Sequence, residues 1–229
     1  MNEIAISARN LVKTYGSGEA AVRAVDDISL DITQGTFTSI MGPSGSGKST
    51  LMHLLAGLDS LDSGSIVISG TDISTLSDNA LTKFRRDNIG FIFQRFNLLP
   101  MLSAKQNILL PLDLAGRKPQ RGKLEELAAT LGLTERLGHL PSQLSGGQIQ
   151  RVAIARALIT SPSVIFADEP TGNLDTASGS EVLRLLRMAV DELGQTVVMV
   201  THEPDAAAVG DRVLTLVDGK IDQDAGTAR

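Results

Sequence analysis

Short apolar runs and helical spacings alternate along much of the chain, which predicts α/β architecture. Phe37-Thr38-Ser39-Ile40-Met41 reads as a buried strand ending at a glycine-rich loop, with a helix from Lys48 to about Leu58. Ser65-Ile66-Val67-Ile68-Ser69 alternates and stops at Gly70, as a half-exposed strand does. Ile89-Gly90-Phe91-Ile92-Phe93 predicts another short strand. Val164-Ile165-Phe166-Ala167 and Thr196-Val197-Val198-Met199-Val200 are continuous apolar runs, the pattern of strands covered on both faces. Between about Arg95 and Thr160 the pattern turns helical, as in Lys123 to Leu131 and Ile149 to Leu158, with no convincing strand. This region reads as a helical subdomain (95–160) inserted into a core formed by 1–94 and 161–229. Val182, Leu186, Ala189, Val190 and Leu193 share one apolar helix face. Val213 to Val217, Asp218-Gly219 and Lys220-Ile221 predict a tight hairpin, and Asp224 to Arg229 is expected to fray.

Composition narrows the possibilities. A chain of 229 residues suits one domain carrying such an insertion. A net charge of -5 argues against a broad nucleic-acid-binding surface, although a local basic patch stays open. The absence of cysteine excludes disulfides, thiolate metal sites and cysteine nucleophiles, and fits a cytosolic location. No run approaches the roughly 20 apolar residues that span a bilayer. Met1-Asn2-Glu3-Ile4-Ala5 lacks the basic and apolar stretches of a secretory signal. A soluble chain that meets the membrane only through a partner is therefore expected.

The chemistry starts at Gly42-Pro43-Ser44-Gly45-Ser46-Gly47-Lys48-Ser49, a full match to G-x-x-x-x-G-K-[ST], with Thr50 following. Such glycines let successive backbone N–H groups turn toward phosphate oxygens, and the helix that follows adds its positive dipole end. Lys48 would reach the β- and γ-phosphates, and the Ser49 hydroxyl would coordinate Mg²⁺. The loop alone does not choose among kinases, GTPases and motor ATPases. Asp168-Glu169 follows the buried Val164–Ala167 strand, so Asp168 is the candidate for the Mg²⁺ site. Glu169, at the strand's carboxyl end, is the candidate general base.

Leu144-Ser145-Gly146-Gly147-Gln148, followed by Gln150-Arg151, resembles the signature of ABC ATPases. A serine and two glycines opening a helix at Gln148 would offer N–H groups and a hydroxyl to an anion. The resemblance implies a P-loop NTPase fold: a RecA-like core with a mixed sheet, the helical insertion and an antiparallel β segment. It also implies roles for single residues. Gln94 resembles the glutamine that touches Mg²⁺ and the attacking water. Tyr15 resembles the aromatic that stacks on adenine, although a lone Tyr also suits a core. Asp175, in Gly172-Asn173-Leu174-Asp175, resembles the aspartate that communicates across a dimer. His202 resembles the histidine near the γ-phosphate, while His53 and His139 match no motif.

The same family works as a head-to-tail dimer, with ATP and Mg²⁺ held between the phosphate loop of one copy and Ser145, Gly146, Gly147 and Gln148 of the other. It implies a separate transmembrane permease and a peripheral position on the cytoplasmic side of the cell membrane. No nucleic-acid partner is expected, since ABC ATPases that act on DNA or ribosomes usually carry a long coiled coil or two tandem units, and this sequence has neither. Phe93-Gln94-Arg95-Phe96-Asn97-Leu98-Leu99-Pro100 and Glu169-Pro170-Thr171-Gly172-Asn173-Leu174-Asp175 resemble most the group serving macrolide export, lipoprotein release, haem export, peptide resistance and cell division. Export or extraction of a substrate is expected. A regulatory ATPase of the cell-division type is the alternative.

Overall fold

The computed structural model describes residues 3–226. The chain begins with two long antiparallel strands, β1 (Ile4–Tyr15) and β2 (Val22–Thr33), and then β3 (Phe37–Met41) leads through the glycine-rich loop into α1 (Lys48–Leu55). β4 (Ser63–Ile68), β5 (Thr71–Asp72), α2 (Asp78–Asn88) and β6 (Ile89–Ile92) follow. Next come α3 (Ala104–Leu114), α4 (Lys123–Thr130) and α5 (Gly146–Leu158), with no strand among the described residues until β7 (Val164–Asp168). The chain closes with α6 (Thr176–Asp191), β8 (Val197–Val200), α7 (Pro204–Ala207), β9 (Arg212–Val217) and β10 (Lys220–Gly226).

Two sheets result. One has four strands in the order β2-β1-β4-β5; the other has six, in the order β10-β9-β3-β8-β7-β6. The second is parallel from β9 to β6 and antiparallel only at its β10 edge. Its central strands read as unbroken apolar runs because both faces are covered. Val164 and Phe166 of β7, with Val198 and Val200 of β8, face a core that surrounds Leu51, Met52, Leu54 and Leu55 of α1. That core extends to Ile6, Leu11, Ile32, Ile66 and Ile68 of the antiparallel sheet. Ile165, Ala167, Val197 and Met199 face the opposite core, shared with α3, α4, α5 and α6. Alternate side chains of one strand thus serve two cores, as the period of two requires.

Several expectations change. α1 ends at Leu55, with Ala56 as its C-cap and left-handed Gly57 beyond. Leu193 lies past the end of α6 and is exposed, so the apolar face closes at Val190. Asp224, Ala225 and Gly226 do not fray: they pair with Leu214, Val213 and Arg212, and Arg212 bonds Asp224 through Nε at 2.7 Å. Residues 227–229 lie outside the described residues. β1 and β2 escape a simple alternation reading because they are bulged. Their register shifts between Ala8 and Leu11, where Asn10 and Asp27 adopt left-handed backbone and bond each other at 2.9 Å.

Candidate active site

β3, β8 and β7 lie side by side and parallel, so the turns at their carboxyl ends gather at one edge of the sheet. After β3 comes the phosphate loop. Gly42 and Gly47 are required there for space as well as backbone angle (φ 151° and 96°). A β-carbon on Gly42 would collide with the Leu216 carbonyl, and one on Gly47 with the Ala24 carbonyl. The loop is backed by the β9–β10 turn, where Gly219 N donates to Ser46 O at 3.1 Å. The Lys48 ammonium is buried and donates to Pro43 O at 2.7 Å, which bends its side chain back over the loop. Burial pushes its pKa down, and the carboxylates of Glu169 and Asp168 offset only part of that. The negative charge of a bound phosphate would offset this desolvation.

After β7, Asp168 is partly buried, and burial raises its carboxyl above the usual range while His53 and Lys48 pull it back. Glu169 then takes left-handed backbone (φ 43°), an uncommon choice for a side chain of its size. Its N–H donates to Val200 O at 2.9 Å, which ties the strained turn to β8. After β8 comes His202, whose Nδ1 lies 3.1 Å from Glu169 Oε1. With Glu169 ionised, that bond requires Nδ1–H to donate.

These turns surround a cleft of about 540 Å³ lined by Tyr15, Ala24, Ser44, Gly45, Gly47, Lys48, Ser49, Thr50, Glu169 and His202. That volume lies within the ~300–1,000 Å³ range of small-ligand sites. Gly42, Pro43, Ser46, Gln94 and Asp168 are not among its lining residues, and Ser46 is buried. Tyr15 stands at the rim, 43% exposed, so it is not a core residue. Its hydroxyl donates to Asp59 Oδ2 at 2.6 Å, and Lys13 Nζ donates to Asp59 Oδ1 at 2.8 Å. Asp59 and Lys13 were not singled out as site residues in the sequence. Nothing local signals that residues so far apart in the chain brace one ring. His53, which matches no motif, acts on Asp168 by charge.

Gln94 follows β6. Its backbone carbonyl accepts from Asn173 Nδ2 at 2.8 Å, and its side chain packs against Gly172 beside the Glu169 turn. The remaining motif residues lie elsewhere. Ser145 is the N-cap of α5: its Oγ accepts from Gln148 N at 3.3 Å while Gln148 Oε1 accepts from Ser145 N at 2.9 Å. The Gln148 side chain is therefore engaged in a capping box, and the helix starts at Gly146, earlier than expected. A hydroxyl that accepts retains its proton for donation. Asp175 caps α6 by accepting from Ser178 N at 3.0 Å and Ser178 Oγ at 2.7 Å, and these bonds hold its carboxyl below the usual range. Ser178 in turn lies against Gly147. Ser145, Gly146, Gly147, Gln148 and Asp175 thus form a second cluster, and none of them lines the cleft.

The donor set suits Mg²⁺. Among the described residues no cluster of three His, Cys, Asp or Glu could hold a metal alone. Mg²⁺ is commonly held by one or two protein oxygens together with substrate phosphates and water. Ser49 and Asp168 would supply those oxygens.

Residues 25–172 match the family described as ABC transporter. An ABC transporter ATP-binding protein of Methanocaldococcus jannaschii, MJ0796, is 45% identical over 96% of this chain and 96% of its own length. The solved dimeric structure of that cassette bound to ADP and Pi superposes with a TM-score of 0.87 at 42% identity, covering 98% of this chain and 99% of the other. The macrolide export ATP-binding/permease protein MacB of Neisseria meningitidis is 48% identical over 96% of this chain. This chain spans only 34% of that relative's length.

Proposed function

The chain belongs to the ABC transporter family and is an ATPase, and from that premise we propose that two copies pair head to tail and share their catalytic sites. The observation that carries this reading is the separation of the two clusters. The cleft holds Lys48, Glu169 and His202, while Ser145 and Gly147, at the N-terminus of α5, do not line it. A second copy turned by a two-fold axis would bring each signature over the other's cleft.

Within such a site each residue has a task. The loop N–H groups and Lys48 bind the triphosphate, and Tyr15 stacks on the base. Mg²⁺, held by Ser49 and Asp168, would neutralise charge developing on the phosphates. Glu169 accepts a proton from the attacking water, Gln94 orients that water, and His202 holds the Glu169 carboxylate in place. Ser145 Oγ and the N–H groups of Gly146 and Gly147 in the partner subunit donate to the γ-phosphate. ADP lacks that group, so hydrolysis lowers affinity for the closed pair and lets it reopen.

A mixing experiment tests the shared site. Lys48→Ala and Gly147→Asp chains are each expected to be inactive, and a mixture is expected to regain ATPase activity through one intact composite site. Continued inactivity in mixtures that demonstrably pair on ATP addition would refute it.

We further infer that the chain sits at the cytoplasmic face of the cell membrane, bound to a separate permease, and powers export. The likeness to macrolide exporters supports export, and no helix among the described residues is long and apolar enough to cross a membrane. Co-purification with a permease, followed by a screen for compounds that stimulate the ATPase, tests this part.

A further inference from the structure

The loop after Gln94 is held in an unusual way. Phe96 and Asn97 are consecutive non-glycine residues in left-handed backbone (φ 60° and 49°). Such backbone persists only where surroundings enforce it. Two local bonds close this turn, Phe96 N to Phe93 O at 3.1 Å and Asn97 N to Arg95 O at 2.6 Å, and the one long-range clamp on its carbonyls comes from Arg156, near the C-terminal end of α5. Its guanidinium donates from NH1 to Asn97 O at 2.5 Å and from NH2 to Phe96 O at 2.8 Å. Arg156 is half-buried, and burial pushes its pKa down with no charge to offset it. Among the described residues it makes no ion pair. A half-buried cation spent on two neutral carbonyls is a poor stabilising device, since desolvated charges are normally paired. A planar fork that grips two successive carbonyls is a good positioning device.

α5 is the helix whose N-terminus carries Ser145, Gly146 and Gly147. The rest of the loop is also tied. Asn173 holds Gln94 O, and Asn107 bonds Leu99 N at 2.8 Å and the carbonyls of Leu99, Leu102 and Ser103. Gln94 therefore rides on a segment with little slack, fixed at Arg156 to the signature helix.

We propose that Arg156 is a positioning residue that sets Gln94 relative to the Ser145–Gly147 helix N-terminus, so that displacement of one carries the other. The proposal rests on the reading of Gln94 as a residue of the ATPase site.

A double-mutant cycle in the full chain tests it, with kcat and KM for ATP measured under single-turnover and steady-state conditions. Arg156→Met is expected to lower kcat about ten-fold or more while KM stays within about two-fold, because Lys48 and Tyr15 still bind the nucleotide. Arg156→Lys is expected to recover part of the loss. In a Gln94→Ala background Arg156→Met is expected to change kcat by less than about two-fold, since the residue it positions is gone. An equal loss in both backgrounds, or an unchanged kcat in the single variant, would overturn the proposal. Should Arg156→Met not fold, the same comparison with Arg156→Lys decides by the same criterion. Failure of the wild-type chain to hydrolyse ATP would count against the function proposed above, a distinguishable result.

Discussion

A ring proposed to stack on a base at a solvent-exposed rim has torsional freedom to lose, and Tyr15 has lost much of it before any ligand arrives. Its hydroxyl is bonded to Asp59, which is itself bonded to Lys13, and Lys13 Nζ lies 5.2 Å from the ring centroid. Asp59→Ala should therefore raise KM for ATP several-fold with little effect on kcat, because ring order is a binding matter. Base–aromatic stacking is worth ~1–3 kcal/mol, which bounds the effect. Steady-state kinetics check this. The network also titrates. Burial would raise the Asp59 pKa, but hydrogen bonds from Lys13, Tyr15 and Ser60 N hold it below the usual carboxylate range. A depressed carboxyl stabilises the fold fully above its unfolded value, about 3.9, and that contribution disappears as pH falls through the lower folded value. The difference in thermal midpoint between wild type and Asp59→Asn should be constant from neutrality to about pH 5 and shrink below about pH 4. Tyr15 was legible as a single matching letter. Its brace was not, because no local periodicity links it to Asp59.

Elements built on a regular period were legible and those built on irregularity were not. β7 and β8 show as apolar runs because two cores demand apolar residues on both faces. β1 and β2 do not, since each bulge shifts the inward set to the other parity. Helix starts posed a related difficulty. Ser145 was legible as a candidate phosphate contact, but its simultaneous use as the cap of α5 follows only from Gln148 bonding back. α3 holds the clearest energetic consequence at this scale. Asn107 is fully buried and its side chain bonds the backbone at Leu99, Leu102 and Ser103. Asn107→Ala would leave several buried groups unsatisfied and should cost about 2–4 kcal/mol. At roughly 2–4 °C per kcal/mol for a domain of this size, calorimetry should find a clearly lowered Tm.

Across the whole molecule, the catalytic groups were easier to read than the way they are divided. Lys48, Asp168, Glu169 and His202 follow strands that the pattern reveals, and adjacency of those strands brings their turns together. That Ser145 and Gly147 do not line that cleft depends on how α5 packs, which no motif encodes. A consequence appears at the level of assembly. Glu169→Gln should reduce hydrolysis by about 10²–10⁴-fold while nucleotide binding persists. Under those conditions ATP with Mg²⁺ should drive the chain to elute as a dimer in size-exclusion chromatography, and ADP should leave it monomeric. A monomer with ATP, given measured nucleotide binding, would contradict the shared-site reading.

The neighbour relation β3-β8-β7 has a metric meaning. Strands hydrogen-bonded in a sheet stand about 4.8 Å apart, so the loop bearing Lys48 and the turn bearing Glu169 rise from rungs roughly 10 Å apart. His202 rises from the rung between them. This gauge is cut by main-chain amides and carbonyls, and it does not depend on which methyl groups fill the interior. Exchanging one aliphatic for another within Val164–Ala167 or Val197–Val200 can therefore change how firmly the platform holds together without changing the gap across which the phosphorus and the water must meet.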